Sequence, residues 1–182
     1  EEGIRVSGVS SCTIIRNGEY WMYYTGKGIE LARSSDGLEF IRVGTVFDVM
    51  DAGGVDMVTN PAVFQLKNGK YRMIYEGSMD RQVIRKLYSA VSDDGLKWTG
   101  ETGVRLEDGI FLSDPEKGRD TYTIFTSVPD IIRLEDGCLR MYYTVVDESR
   151  TARSCDEGLT WIREEALKLR KVAIDPDIVL LD

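Results

Sequence analysis

The chain has 182 residues, 42% hydrophobic and 30% charged, the balance of an ordinary folded domain rather than a disordered one. A formal net charge of −8 and a pI near 4.7 argue against a polyanionic partner such as nucleic acid, and no stretch nears the roughly 18 consecutive apolar residues of a membrane helix. No histidine occurs, so Ser-His-Asp and Cys-His nucleophiles and imidazole metal sites are excluded, and any acid–base work falls to carboxylates, Lys, Tyr or Cys.

Glu1-Glu2-Gly3 does not read as the start of a signal peptide, so the chain is expected to be soluble. Cys12, Cys138 and Cys155 are odd in number and lack CxxC spacing, which points to buried free thiols rather than a disulfide framework or a zinc site. Three unpaired cysteines tilt the expected compartment towards the reducing cytoplasm.

The first pattern along the chain is an apolar run, an Asn-Gly pair and an aromatic-rich alternating run, from Thr13 to Tyr24. It returns from Ala62 to Tyr75 around Asn68-Gly69, and from Asp130 to Tyr143 around Asp136-Gly137. Each copy predicts a hairpin closed by a type I′ turn. A second motif follows each hairpin: Ala32 to Phe40, Ala90 to Trp98 and Ala152 to Trp161, each a strand, an Asp/Gly turn and a strand opening on an aromatic. Two hairpins per unit make four antiparallel strands, the plan of a propeller blade.

The fold class expected is therefore all-β, a β-propeller of about three four-stranded antiparallel blades forming one domain over 1–182. The units run roughly over 9–58, 59–127 and 128–174, and a fourth starts at 175–182. Residues 163–172 have helix-forming composition, but their place in the repeat predicts an outer strand and connection. A closed propeller takes roughly four to eight blades, so open blade faces and edges invite a partner, including a second copy of this chain.

The turn Ser154-x-Asp156-x-Gly158-x-Thr160-Trp161 resembles the Asp-box of sialidase-type propellers, and Ser34 to Phe40 and Ser92 to Trp98 are shorter relatives. Its aspartate serves the turn, not catalysis. Three further stretches, Asn60-Pro61-Ala62-Val63, Pro129-Asp130-Ile131-Ile132 and Pro176-Asp177-Ile178-Val179, lead or follow the aromatic strands. On these residues the chain resembles the five-bladed propeller glycosidases, the superfamily of glycoside hydrolase families 43, 32, 68 and 130.

That resemblance implies an axial funnel lined by the first residues of each innermost strand, with a base Asp, an orienting Asp and an acid Glu on successive blades. Asp130 looks like the orienting residue, Asp175 and Asp177 flank an Asp-Pro opening of the base-bearing kind, and Asp56 lies where relatives often carry an acidic residue. Glu76 is a candidate acid or substrate contact, and Tyr143 a candidate sugar-stacking ring. Each has a structural alternative: the aspartates cap backbone groups or hold an axial cation such as calcium, Glu76 is a solvated strand end, and Tyr143 is core. A glycosidase needs two carboxylates about 5 to 9.5 Å apart, one kept protonated. In the first unit the corresponding strand reads Ser11-Cys12-Thr13-Ile14-Ile15 with no carboxylate, the second has Ala62 where the third has Asp130, and the family's acid elements are absent. The expected function is a glycosidase-like protein acting on or binding an oligosaccharide, with no resident cofactor. The alternatives are a non-catalytic carbohydrate-binding or protein-interaction propeller, or a fragment inactive by itself.

Overall fold

A computed structural model describes residues 8–78, 84–114, 119–146, 148–170 and 176–178. Blade 1 is an antiparallel sheet of β1 (Val9–Arg16), β2 (Glu19–Thr25), β3 (Ile29–Ser34) and β4 (Ile41–Phe47) in sequential order. A single turn of helix, α1 (Val49–Ala52), leads to blade 2: β5 (Met57–Gln65), β6 (Tyr71–Ser78), β7 (Arg85–Ser92) and β8 (Thr99–Gly100). A separate hairpin of β9 (Gly109–Asp114) and β10 (Arg119–Ile124) precedes blade 3. Blade 3 comprises β11 (Thr126–Arg133), β12 (Leu139–Val145), β13 (Glu148–Ser154) and β14 (Ile162–Arg170).

The all-β propeller architecture is thus as the repeat predicts, and 162–170 is strand despite its helix-forming residues. Meander topology explains why: pairing with β13 satisfies the strand's backbone, and this tertiary context overrides local propensity. The β9–β10 hairpin, with no counterpart in the other repeats, accounts for the greater length of the second unit.

Only one inner hairpin closes as expected. Asn17 and Gly18 both have positive φ, 51° and 80°, as a two-residue type I′ turn requires. The other two hairpins carry one more residue. There Gly69 and Gly137 donate back to Leu66 and Leu134, and only the glycine is left-handed, the pattern of a type I turn with a glycine bulge.

Two apolar cores lie between blades. Trp21, Tyr23 and Phe47 of blade 1 meet Tyr71, Met73 and Tyr75 of blade 2, while Phe64, Ile74 and Leu87 on blade 2's opposite face meet Leu139, Met141 and Tyr143 of blade 3. Blade 2, covered on both faces, buries every residue of β6. Strand β12, covered on one face, leaves Arg140 and Tyr142 partly exposed.

The cysteine expectation is overturned. Cys138 and Cys155 form a disulfide, with Cα atoms 4.3 Å apart, and Cys12 alone is a free thiol. Because Leu139 pairs with Ser154 across β12 and β13, the residues just outside that pair face each other. A disulfide also removes the ground for favouring the cytoplasm. No helix among the described residues is long and apolar enough to cross a membrane.

Candidate axial site

Each innermost strand has an irregularity at the same place. In β1, β5 and β11 the register shifts at Ser10, Asn60 and Val128, three non-glycine residues with φ of 46°, 52° and 46°. A bulge re-aims the residues that follow it. The next positions are Ser11-Cys12, Pro61-Ala62 and Pro129-Asp130, and their partners Tyr23, Ile74 and Tyr142 show that Cys12, Ala62 and Asp130 are equivalent. Together with Pro176-Asp177-Ile178 these segments line a cleft of about 710 Å³ at the centre of the blades.

The equivalent side chains tie each blade to the next. Cys12 Sγ accepts from the Val63 N–H at 3.3 Å and donates to the Val63 carbonyl at 3.8 Å. Asp130 Oδ2 accepts from the Ile178 N–H at 2.7 Å, and Ile178 stands to Pro176 as Val63 stands to Pro61. Residues 176–178 therefore meet blade 3 as Val63 of blade 2 meets blade 1. Alanine at 62 makes no such bond, and the Ile131 N–H is met instead by Asp130 Oδ1 at 2.9 Å.

Asp130 is part-buried, and its burial pushes the carboxyl above the ordinary range, against the pull of the two backbone N–H bonds, with the nearby Asp177 charge adding to the rise. Asp177 is exposed in the same cleft. Burial pushes the Cys12 thiol up to about 11, and the Asp130 and Asp177 charges add to that, so at neutral pH it is a structural thiol rather than a nucleophile.

Of the residues singled out by sequence, the fold brings Asp130 and Asp177 together. Asp175 lies outside the described residues. Asp56 is exposed before β5, where it accepts from Ser78 Oγ at 2.6 Å, and it does not line the cleft. Glu76 is not a solvated strand end. It is wholly buried behind the cleft wall and accepts from Asn60 Nδ2 at 2.6 Å, from Arg85 Nη1 at 2.6 Å and from Ser127 Oγ. Tyr143 is also wholly buried, its hydroxyl donating to Asp108 Oδ2 at 2.8 Å. Neither side chain offers a surface to a ligand, which corrects their expected role as substrate contacts. Sequence reasoning passed over Asn60 as a site residue, although an Asn in an Asn-Pro step before a strand suits a left-handed bulge. Among the described residues no three carboxylate or thiol groups gather as a metal site.

Neither a family model nor a curated protein matches the sequence. Solved structures do match. An α-L-arabinanase of Cellvibrio cellulosa complexed with arabinohexaose is 16% identical, with a TM-score of 0.58 over 86% of this chain and 50% of its own. A glycosyl hydrolase of Bacteroides ovatus is 21% identical, with a TM-score of 0.55 over 85% of this chain and 48% of its own. A protein of the GH130 family, which contains mannoside phosphorylases and glycoside hydrolases targeting β-1,2 mannosidic linkages in Candida mannan, is also 21% identical, with a TM-score of 0.54, 85% of this chain and 48% of its own covered. The fold is accordingly that of part of a five-bladed propeller of the glycoside hydrolase kind. The chain spans about half the length of these structures.

Proposed function

We propose that the axial cleft takes an oligosaccharide and that Asp130 and Asp177 are the carboxylates that meet it. The observation that carries this reading is the pair itself: a part-buried carboxyl held above its ordinary pKa shares one cleft with an exposed carboxylate. Two carboxyl groups in different surroundings facing one cleft are the kind of pair that glycoside hydrolysis uses. Cleft size and position on the axis support the same reading, since about 300–1,000 Å³ is the usual span of a small-ligand site. The proposed chemistry is glycosidase-like. A binding role without turnover is favoured by one specific observation, that both Asp130 oxygens already accept backbone N–H bonds.

A panel of aryl arabinosides, xylosides, fructosides and mannosides, with Asp130→Asn as control, separates the two. Release of nitrophenol that the substitution abolishes supports catalysis. Saturable binding of arabinohexaose without release supports the binding role, and neither turnover nor binding defeats both. Light scattering on the same sample tests self-association: Ile41 on β4 and Ile162 on β14 are 77% and 74% exposed, and a dimer mass would mean that such open surfaces pair between copies.

A further inference from the structure

Resting on the reading of the cleft as a sugar site, we propose that Asn60 is a specificity-determining residue, its side-chain oxygen an oriented acceptor for a hydroxyl of a neutral sugar. Asn60 is where the three blades converge. Its backbone N–H donates to Thr25 Oγ1 of blade 1 at 2.8 Å. Its side-chain nitrogen donates to Glu76 of blade 2 at 2.6 Å and to Ser127 Oγ of blade 3 at 3.4 Å.

These partners decide which way the carboxamide faces. The Glu76 carboxylate, salt-bridged to Arg85 at 2.6 Å, accepts hydrogen bonds and does not donate them, so the atom beside it is the NH₂ group. Ser127 Oγ already donates to Glu76 and is free to accept from the same NH₂. The amide oxygen is then the side-chain atom to which no group among the described residues donates, and Asn60 is one of the residues lining the cleft. A buried carboxylate, paired with a part-exposed arginine, thus orients the Asn60 carboxamide without occupying its acceptor.

The equivalent bulge residues cannot do this. Val128 has no polar side-chain atom, and in blade 1 the residue that stands where Glu76 does is Thr25, so Ser10 has no carboxylate beside it. A neutral ligand fits better than an anion because the same cleft carries Asp130 and Asp177. Pre-orientation matters because a fixed acceptor loses little side-chain entropy when it binds. Glu76 and Ser127 are positioning residues, acting through Asn60.

The test is side-chain amide NMR on the ¹⁵N-labelled chain, titrated with L-arabinose, D-xylose, D-galactose, D-mannose and arabinohexaose. Asn60→Gly assigns the Asn60 NH₂ pair, and glycine accepts the left-handed backbone without strain. With at least one probe the Asn60 NH₂ signals should shift together with the Ile131 and Ile178 amides. Asn60→Gly should weaken that probe about five- to tenfold, the worth of one hydrogen bond. Ser127→Ala, which loosens the clamp but keeps the oxygen, should speed Asn60 NH₂ exchange and weaken binding about two- to threefold. If Ile131 and Ile178 shift but Asn60→Gly and Ser127→Ala bind as tightly as the parent, the role given to Asn60 is wrong and the sugar reading stands. If no probe moves any of these signals, the sugar reading fails and this inference with it.

Discussion

The two interfaces between blades share one geometry but not one chemistry. Between blades 1 and 2 the contact is aromatic: Tyr23 meets Trp98 edge-on at 5.8 Å and Phe47 meets Tyr75 at 5.0 Å, while within blade 2 Tyr75 stacks on Tyr88 at 6.0 Å. Between blades 2 and 3 the core is more aliphatic and is surrounded by charge. Arg72 holds Glu101 through two bonds and donates to the Glu157 carbonyl, Arg133 pairs with Glu157, and Glu76 anchors Asn60. In both, a left-handed glycine of the following blade's turn lies flat on its neighbour. A Cβ on Gly95 would come within 2.7 Å of the Tyr23 hydroxyl, and one on Gly158 within 2.9 Å of Phe64. The repeat sets backbone approach, so side chains are free to diverge, and polar groups that can serve a ligand collect where an aromatic seal is not needed.

The largest expected effect breaks the aromatic interface. Tyr75→Ala removes a ring that touches Phe47 and Tyr88 and is 1% exposed, and it should cost about 3–5 kcal/mol in urea unfolding. A cost below about 1 kcal/mol would show that the ring packing does not hold blades 1 and 2 together.

The charged interface should break through loss of a partner rather than loss of area. Asp108 is 1% exposed at its side chain and accepts from Arg150 at 2.8 Å, Arg163 at 2.6 Å and the Tyr143 hydroxyl. Burial works against its charge, but the bonds from Arg150 and Tyr143 outweigh it and hold the carboxyl below its ordinary pKa. Asp108→Ala removes the acceptor shared by Arg150, Arg163 and the Tyr143 hydroxyl, leaving Arg150 with Glu148 as its remaining carboxylate partner, and should cost about 3 kcal/mol. Since the folded pKa is depressed, the stabilisation is present above the unfolded carboxyl's pKa of about 4 and is lost as pH falls through the folded value. Stability of the parent chain should therefore fall faster below about pH 4 than that of the variant. Parallel pH profiles for the two would contradict the assignment.

Within blade 3 the disulfide supplies a tie that blade 1 lacks. It closes a loop with a sequence separation of 17, for which chain entropy gives about 3 kcal/mol. Reduction, or Cys138→Ser with Cys155→Ser, should lower the urea midpoint accordingly and leave the Cys12 thiol as the single free one before reduction in a thiol titration. Two or more free thiols in the unreduced chain would contradict the bridge.

What the sequence made legible follows the same division. Repeat length, hairpins and Asp/Gly turns are local, and they were readable because a turn needs particular residues at particular positions. The pairing of Cys138 with Cys155 was also readable in principle, since the antiparallel register that joins Leu139 to Ser154 joins them too, but an odd cysteine count points away from it. Glu76 and Tyr143 were misplaced for a different reason. Both lie on inner strands whose burial depends on whether another blade covers the face, a long-range fact that periodicity within one strand does not hold. Asn60 shows its role only once Glu76, Ser127 and Thr25 arrive from three blades.

The smallest effect sharpens the comparison, because it concerns the element that both interfaces share. In each Asp/Gly turn a serine hydroxyl accepts the glycine N–H, as Ser92 does for Gly95 and Ser154 for Gly158, and the aspartate accepts from residues further along. At Asp156 burial opposes the charge, but bonds from the Thr160 hydroxyl and N–H and from Ser154 win and hold the carboxyl at about 2. At Asp94 the Lys97 and Leu96 N–H groups lower it in the same direction. Both carboxylates sit in surface turns, so each contributes about 1 kcal/mol at most, present above about pH 4 and lost as pH falls through its folded value. Asp94→Asn and Asp156→Asn should remove equal portions of the acid-side slope in a pH series of urea melts. Equal portions mean that the turn belongs to the repeat and is indifferent to the interface it sits on. If Asp156→Asn removes much more, the polar surroundings of Arg72 and Glu157 have made the second turn part of the charged network, and the interfaces differ in their backbone supports as well as in their side chains.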